Sequence, residues 1–574
     1  MREQRQITRR LGMRVFRSLA VVTTAVLAIG LAGCGGSSSD SPTAKTVTIN
    51  GSLEPGAAKL TLKSVGAAAH IIGTITAIDA ATGNVLSTAP ADIHPDSTGT
   101  GGTFSGLTIT PPSTPSGIIL KATLTNGKTY RSLFTDDLSA QTTPLTAAAI
   151  GPNSDVIVSA VSNSLGISGV LGDSGVKVPT GTKLSDLAAK VTTVSNSVLP
   201  KLAVGYVINT GGSTTKVPGF SIIDRKTSTV TKTIRFTDGT PSVGHFANVT
   251  ADGSELWLCT NKADGSAGNV NVLNTAVFGT YSTINSSNKS SFITKSFNVG
   301  CGVQSAQTPD GSYLFTASNQ GTKGINVFDV KNHAFLGNIP NGNTAPHVGA
   351  VSADGKTYYT STAGGYHAVG YDISGLPAKV PTDADKVLDV DLGYGNIHAL
   401  RLHPNGKHLL VGNNTWPVPA GKTNTSGLNV IDITAKKIIA NAPGRPHNYA
   451  ISLDGKYLAS TESAAADCNL TPGDPGSLVQ FIDISTLLAT TPDPTKIVSI
   501  DQFIKDGYGG SHASWDQTTG LFYYSVSDTT GQGWLYTLNT ANLSAATPSV
   551  SVVGDKVKIG WAPHGVSFAG INGD

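Results

Sequence analysis

Short runs of alternating apolar and polar residues recur along the chain from residue 201 onward. Each repeat has an alternating strand, a tight turn at a pair such as Asp-Gly or Asn-Gly, a second strand, and a third strand of the form apolar-x-apolar-apolar-Asp. Such pairs tolerate the positive φ that a two-residue hairpin requires. The third strands end at seven residues, namely Asp224, Asn274, Asp329, Asp372, Asp432, Asp483 and Asn539. Seven units of roughly fifty residues with about four strands each predict a seven-bladed β-propeller over residues 201–574.

The two ends of this repeat predict how the ring closes. The final segment, from Trp561 to Phe568, has the pattern of an inner strand with no unit after it. The first unit, which begins near Leu202, lacks an inner strand. We therefore expect the last strand to complete the first blade.

The residues before the repeat predict a small domain and a connector. Alternating segments such as Ile118–Leu124 and Tyr130–Phe134, separated by Pro and Gly clusters, predict a small β-sandwich over 46–142. Residues 143–200 form a connector in which apolar residues at helical spacing predict one amphipathic helix over 183–199, ended by Pro200. The fold class is therefore all-β, a seven-bladed propeller preceded by a small β-sandwich and a short helical connector.

Two segments resemble known repeat or domain types. Residues 73–86 resemble the carboxypeptidase-regulatory type of sandwich, which implies a spacer or stem without chemistry of its own. Pro446-His447, followed by Asp454-Gly455-Lys456, resembles the YVTN-type propeller repeat, and this resemblance covers about 370 residues. It implies the fold and leaves the function open.

The N-terminus has the pattern of an export signal. An Arg-rich start is followed by the apolar run Leu19–Leu31 and by Leu31-Ala32-Gly33-Cys34. The order resembles a bacterial lipoprotein signal, which implies a signal peptide over 1–33, a lipid that anchors Cys34 to the membrane, and a flexible tether over 34–45. An ordinary secretory peptide with a chance cysteine is the alternative. No Asp directly follows Cys34, so we expect an outer-membrane lipoprotein that faces the periplasm or the cell surface.

Composition and charge exclude several classes of protein. Only 13% of residues are charged, while Gly numbers 66 and Pro 29, which excludes a coiled coil or a charge-rich helical bundle. The net charge of +3 depends on six Arg in the leader; without residues 1–33 the chain has 34 basic and 36 acidic residues. A slightly acidic chain without a basic tract argues against nucleic acid as the main partner.

Histidine recurs at one position of the repeat. Five histidines each lie seven residues before the first residue of a hairpin turn, and a sixth lies near the start of the closing strand. The six are His245, His347, His398, His447, His512 and His564. They are half of the 12 histidines in the chain. In the third blade Val303 takes the position, and Cys301 lies two residues earlier, on the same face of an extended chain.

The inner strands of a propeller line its central channel, so these side chains are expected to converge at one channel mouth. Neutral imidazoles bind Cu, Zn, Fe or Ni, and a mononuclear site needs three or four ligands. Six imidazoles imply two metal ions, a metal cluster, or a site that uses only some of the six as ligands. Crowding is expected to lower their pKa values. Two alternatives remain: each histidine hydrogen-bonds a neighbouring blade as a structural repeat, or the ring lines a substrate-binding channel.

The pattern is similar to the propeller of nitrous oxide reductase, and propellers that hold haem d1 use the same mouth. The resemblance implies copper, or another transition metal or a haem d1-like tetrapyrrole, held by the six histidines. Cys301 is a further candidate ligand because of its position in the third blade. The chain departs from the reductase pattern at Val303, and it lacks a cupredoxin-like domain.

The functional hypotheses therefore belong to different classes. The first is an exported propeller that binds a metal for redox or metal handling, with an electron-transfer or protein partner on its top face. The alternative is a metal-free propeller that binds a protein or glycan on that face, and a lactonase-like hydrolase is a third. The sequence leaves open whether the protein is an enzyme, and also the states of Cys259 and Cys468.

Overall fold

The computed structural model describes most of the chain between residues 45 and 568. The described ranges are 45–54, 71–95, 101–125, 128–138, 141, 144–167, 169–211, 216–240, 242–261, 268–300, 304–318, 322–343, 346–362, 366–395, 397–414, 421, 427–442, 446–452, 455–461, 477–489, 492–493, 498–504, 508–516, 519–528 and 530–568. The predicted signal peptide, Cys34 and the tether lie outside them.

The N-terminal strands form one seven-stranded sheet. They are β1 (Val47–Ser52), β2 (Gly73–Asp79), β3 (Ala91–Pro95), β4 (Gly102–Ile109), β5 (Ile118–Leu124), β6 (Thr129–Phe134) and β7 (Leu145–Thr146). The order across the sheet is β6-β5-β2-β3-β4-β1-β7, with β1 and β7 parallel and the other pairs antiparallel. Alternate residues of these strands, such as Ile49 and Leu107, build its core. The sandwich arrangement and the domain boundaries stay predictions.

The described residues include three α-helices, which are α1 (Pro152–Ser164), α2 (Leu184–Leu202) and α3 (Lys289–Phe292). The sequence predicted α2, but the prediction that Pro200 ends it is wrong, because the helix continues to Leu202. Leu202 packs with Val198 and Tyr206 in a core shared with the first blades, and this burial offsets the backbone hydrogen bond that Pro200 lacks. None of the helices that the structure describes is both long and apolar enough to cross a membrane.

The remaining strands follow in short antiparallel groups. The first nineteen of the propeller region end with β26; in chain order they are β8 (Val204–Asn209), β9 (Gly219–Asp224), β10 (Thr229–Phe236), β11 (Val243–Val249), β12 (Glu255–Thr260), β13 (Asn269–Asn274), β14 (Thr283–Ile284), β15 (Ile293–Phe297), β16 (Ser305–Gln307), β17 (Tyr313–Ser318), β18 (Gly324–Asp329), β19 (Ala334–Ile339), β20 (Gly349–Val351), β21 (Thr357–Ser361), β22 (His367–Asp372), β23 (Lys386–Asp391), β24 (Ile397–Leu402), β25 (His408–Asn413) and β26 (Gly427–Asp432). The last eleven are β27 (Lys437–Ala442), β28 (Asn448–Ile451), β29 (Tyr457–Thr461), β30 (Ser477–Asp483), β31 (Val498–Ile504), β32 (Tyr508–Trp515), β33 (Leu521–Ser527), β34 (Gln532–Asn539), β35 (Ser551–Val552), β36 (Val557–Trp561) and β37 (Pro563–Phe568).

These strands form seven sheets, one for each blade of a β-propeller. From the axis outward the blades are β37-β8-β9-β10-β14, β11-β12-β13-β15, β16-β17-β18-β19, β20-β21-β22-β23, β24-β25-β26-β27, β28-β29-β30-β31 and β32-β33-β34-β35, with β36 also paired to β34. The seven-bladed propeller predicted from the repeat is therefore present.

The last strand closes the ring, as the sequence predicted. β37 pairs antiparallel with β8 and becomes the inner strand of the first blade. A buried ion pair joins the first blade to the seventh, since Arg225 Nε donates to Asp516 Oδ2 at 2.8 Å. Arg225 Nη1 also donates to the Leu202 carbonyl at the end of α2, at 2.7 Å.

The hairpin glycines and the third-strand Asp and Asn residues of the repeat determine the conformation of the turns through local interactions. In the six hairpins the glycine has φ between 67° and 73°, the left-handed region that the Asp-Gly pattern predicted. Third-strand Asp and Asn side chains accept backbone N–H groups from the turn that follows. Asp224 Oδ1, for example, accepts from Lys226 and Thr227, each at 2.9 Å. These side chains therefore serve the fold.

Candidate functional site

Seven inner strands meet around the propeller axis. β37, β11, β16, β20, β24, β28 and β32 each contact the next in this circular order. Four of the six candidate histidines lie on these strands: His245 on β11, His398 on β24, His512 on β32 and His564 on β37. His447 directly precedes β28, and His347 lies two residues before β20.

Irregular pairing marks the positions of the histidines on their strands. The register of β11 shifts between Val243 and Ala247, and that of β24 between Ile397 and Ala399. Similar shifts occur beside His512 and in β37 around His564. A β-bulge turns a side chain away from the regular alternation. The bulges explain how side chains of inner strands face the axis rather than the spaces between blades.

The structure brings all six imidazoles together in one ring. Around the axis, neighbouring centroids are 6.4 Å apart for His245–His347, 3.9 Å for His347–His398, 4.3 Å for His398–His447, 5.0 Å for His447–His512, 5.1 Å for His512–His564 and 4.0 Å for His564–His245. His245 and His512, which are not neighbours in this order, are 5.9 Å apart. We call these six side chains the histidine ring.

The widest spacing falls where the repeat lacks a histidine. The 6.4 Å between His245 and His347 spans the third blade. The side chains predicted for that position, Val303 and Cys301, lie outside the described residues.

Two imidazoles of the ring donate hydrogen bonds to backbone carbonyls. His398 Nδ1 lies 2.9 Å from the His447 carbonyl oxygen, and His564 Nδ1 lies 3.1 Å from that of Ala562. A carbonyl only accepts, so each Nδ1 carries the hydrogen, and in a neutral imidazole Nε2 then has a free lone pair. Each of these side chains therefore has the tautomer in which Nε2 can bind a metal.

Two other ring nitrogens are buried without a hydrogen-bond partner among the described residues. They are Nδ1 of His245 and Nε2 of His347. A buried polar atom without a protein partner is uncommon in native proteins, and an ion or an ordered water often satisfies such an atom. Both nitrogens belong to side chains that border the widest spacing in the ring.

Burial keeps five imidazoles of the histidine ring neutral. Burial and then the neighbouring imidazoles, His564 first, lower the pKa of His245 to about 2. Burial also lowers the pKa of His564, to about 4, even though its hydrogen bond to Ala562 acts in the opposite direction. The pKa values of His347 and of the fully buried His512 lie well below the ordinary value, and that of His398 is lowered too. At neutral pH these side chains are uncharged, as metal ligands must be.

The ring nitrogens do not form a ready metal geometry. Among the described residues, no group of three or more His, Cys, Asp or Glu side chains is placed to hold a metal ion. Binding would therefore require rotation of imidazoles about their side-chain bonds.

Cys259 and His403 are not part of the histidine ring. Cys259 on β12 is disulfide-bonded, and its partner lies outside the described residues, as do Cys34, Cys301 and Cys468. His403, beside the Asn405-Gly406 turn, is buried. It is 8% exposed, because its Nε2 lies 2.7 Å from the Gly455 carbonyl and its Nδ1 accepts from the backbone of Asn405.

Sequence reasoning missed the hydroxyl groups that surround the ring. Ser525 and Thr360 lie on second strands, fully buried, and donate to inner-strand carbonyls at or beside ring histidines. A signal for them exists: Tyr358-Tyr359-Thr360 and Tyr523-Tyr524-Ser525 repeat the same pattern in two blades.

Comparisons with known proteins give no family for the chain. No protein-family model matches it, and no curated protein matches it.

Solved structures with low similarity include propellers. Hydrazine synthase of Kuenenia stuttgartiensis is 17% identical with a TM-score of 0.40, over 59% of this chain and 89% of that one. The Cps50 (Swd1) β-propeller domain of Myceliophteria thermophila is 14% identical with a TM-score of 0.36, over 54% and 85%. A functionally unknown protein from Desulfotomaculum acetoxidans is 11% identical with a TM-score of 0.42, over 64% and 98%. At these scores none of them bears on the function.

Proposed function

We propose that the histidine ring binds transition-metal ions, with copper as the preferred metal. The observation that supports this most directly is the convergence of six imidazoles from six blades, with neighbouring centroids 3.9–6.4 Å apart. Buried, neutral imidazoles at this density resist protonation, but they present lone pairs to a soft or borderline cation. The partnerless nitrogens of His245 and His347 support the same interpretation.

The spacing favours bare ions over a macrocycle inside the ring. Even His245 and His512, separated by His564 in the circle, have centroids only 5.9 Å apart. A metal lies about 2.0–2.1 Å from an imidazole nitrogen, so one ion fits between such rings. A tetrapyrrole would need room that these contacts do not leave.

Copper is preferred on chemical grounds as well as by resemblance to the nitrous oxide reductase propeller. Imidazole sites bind Cu²⁺ more tightly than the other divalent first-row metals. Three or four ligands serve one ion, so the six side chains suit two ions or a small cluster. Such a centre would supply one-electron chemistry or metal storage.

The setting of this activity follows from the N-terminal pattern. We propose an exported lipoprotein, anchored to the outer membrane through a lipid on Cys34 and facing the periplasm or the cell surface. A redox role requires an electron-transfer partner, and we propose for it the top face of the propeller, at the channel mouth where the sequence predicts the histidines.

Elemental analysis of the purified protein tests the proposal. We expect one or more copper ions per chain after export or after loading with Cu²⁺. The double variant His347→Ala, His447→Ala should lose that copper while its circular dichroism keeps the β-sheet signal. His408→Ala, at the start of β25 and outside the histidine ring, is the matched control and should keep the copper. Wild-type protein that takes up no metal would refute the proposal.

A second candidate function is a metal-free propeller that binds a protein or glycan on its top face. The absence of a ready metal geometry among the described side chains favours it. The bond from His398 to the His447 carbonyl would then be one of a set of structural contacts. In that case the double variant would lose folding stability rather than metal.

A further inference from the structure

Buried hydroxyl groups hold the backbone beside the histidine ring. In the fourth blade Thr360 Oγ1 donates to the carbonyl of Val348, the residue after His347. In the sixth, Thr461 Oγ1 lies 3.5 Å from the carbonyl of Asn448, the residue after His447. Both threonines are fully buried on the second strand of their blade.

Ser525 performs this role for two histidines at once. Its hydroxyl lies 2.7 Å from the carbonyl oxygen of His564 and 3.2 Å from that of His512. A serine hydroxyl has one hydrogen, so the two carbonyls share it and the shorter contact dominates. Ser525 is fully buried on β33, and it is paired in register with His512. It therefore connects the seventh blade with the last strand of the chain.

The two carbonyls lie where the backbone is least constrained by strand pairing. The register of β32 shifts between Gly510 and His512, and that of β37 shifts between Pro563 and Val566. At such bulges the direction of a side chain depends on local contacts rather than on the ladder. A hydroxyl that fixes the carbonyls therefore fixes the directions in which the imidazoles of His512 and His564 leave the backbone.

We propose that the hydroxyl groups of Ser525 and Thr360 are positioning residues for the metal site. Ser525 holds the carbonyls of His512 and His564, and Thr360 holds that of Val348, directly after His347, so that the imidazoles converge on the axis. This inference rests on the proposed function, because it assigns a role within the same site. Contacts of this kind, which orient the ligands from outside, commonly change metal affinity by about 10- to 100-fold.

Ser514 provides a matched control at the same seam between blades. Its hydroxyl donates to the Val566 carbonyl at 2.9 Å, and its side chain is 1% exposed. It has the chemistry and burial of Ser525, and it bonds a carbonyl of β37. That carbonyl, however, is two residues from His564, whereas Ser525 and Thr360 bond the carbonyl of a ring histidine or of the residue directly after one. Loss of either hydroxyl should weaken the seam, whereas loss of Ser525 alone should disturb the ring.

The experiment measures Cu²⁺ affinity by competition with a chromogenic chelator, the electron paramagnetic resonance spectrum of bound Cu²⁺, and the melting temperature of the metal-free protein. We expect Ser525→Ala to bind Cu²⁺ about 10-fold more weakly or worse, with altered hyperfine coupling. Ser525→Thr, which copies the arrangement at Thr360, should restore both. Ser514→Ala should match the wild type in affinity and spectrum even where its melting temperature falls.

The outcomes separate the two ways in which the inference can fail. Wild-type affinity in Ser525→Ala, or an equal loss in Ser514→Ala, would overturn the positioning role while leaving the metal site intact. A wild-type protein that binds no Cu²⁺ would instead refute the proposed function. If Ser525→Ala does not fold, Thr360→Val removes the corresponding hydroxyl at nearly constant volume. We expect weaker Cu²⁺ binding there too, and unchanged binding would overturn the inference.

Discussion

The imidazoles of His245 and His564 stack with their centroids 4.0 Å apart and their planes inclined by 23°. His245 belongs to the second blade, and His564 to the strand that closes the first blade. The contact therefore forms only when the propeller is closed. Because burial beside His564 lowers the pKa of His245 to about 2, the closed state also favours the uncharged form.

Acid is expected to destabilise the metal-free protein. Five ring histidines have lowered pKa values in the fold, whereas an unfolded chain titrates near 6.5. Below pH 6.5 the unfolded chain therefore binds more protons than the folded chain, so the free energy of unfolding decreases as the pH is lowered. For each of these imidazoles the free energy of unfolding falls by about 1.4 kcal/mol for every pH unit of acidification, until the pH reaches the pKa of that imidazole in the folded state. Urea unfolding at pH 8.5, 7.5, 6.5 and 5.5 should show a nearly constant free energy above pH 7.5 and a loss that becomes steep below pH 6.5, whereas a flat profile would contradict neutral imidazoles in the fold.

Replacement of one titrating imidazole of the histidine ring should weaken that pH dependence. His245→Phe keeps an aromatic side chain against His564 but takes up no proton. Between pH 7.5 and 5.0 the variant should lose about 2 kcal/mol less stability than the wild type. Ser514→Ala, which removes no titrating group, should shift both ends of the profile equally. Identical slopes for His245→Phe and the wild type would mean that the pKa of His245 is the same in the folded and unfolded chain.

Copper should stabilise the folded protein in proportion to its binding. A ligand that binds only the folded state adds about 2.7 kcal/mol at a concentration 100 times its dissociation constant. We expect the melting temperature at pH 7.5 to rise with added Cu²⁺, and the rise to vanish in the double variant His347→Ala, His447→Ala. Mg²⁺, which prefers oxygen ligands, is the control and should have no effect. A rise that persists in the double variant would place the copper elsewhere.

The sequence predicted the propeller because its signal is periodic. Hairpin glycines and third-strand carboxylates such as Asp224 serve local turns, so each can be recognised without the rest of the fold. The position of His245 relative to Asp252-Gly253 fixes its place on an inner strand in the same way. Individual side-chain contacts between distant segments gave no such signal. The repeated pattern at Thr360 and Ser525 marks the hydroxyl groups, but the hydrogen bond from Ser525 to the His564 carbonyl depends on the bulge in β37, which no local pattern encodes.

The ion pair between Arg225 and Asp516 is expected to be essential for closure. The Asp516 side chain is 0% exposed and that of Arg225 is 4% exposed, and the pair joins the seventh blade to the first. Asp516→Asn would leave the guanidinium buried without its counter-ion, at a cost of about 3–5 kcal/mol. Lys289→Gln, which breaks an ion pair of a half-exposed lysine with Asp238, should cost about 1 kcal/mol or less. Chemical denaturation of both variants measures the difference, and equal effects would contradict the assignment.

The disulfide of Cys259 is expected to involve Cys301. Val270 on β13 is paired with Cys259 on one side and with Phe297 on the other, and the Gly300 N–H donates to the Gly268 carbonyl at 3.2 Å. Just before residue 301 the chain therefore lies beside the start of β13, the strand that pairs with β12.

Peptide mapping under non-reducing conditions should link the peptides that contain residues 259 and 301, and Cys259→Ser should cost about 4 kcal/mol by loop-closure entropy. Such a link would remove Cys301 from the candidate metal ligands and leave the third blade without one, so that the site consists of histidines alone. A link from Cys259 to Cys468 or Cys34 would instead return Cys301 to the ligand set.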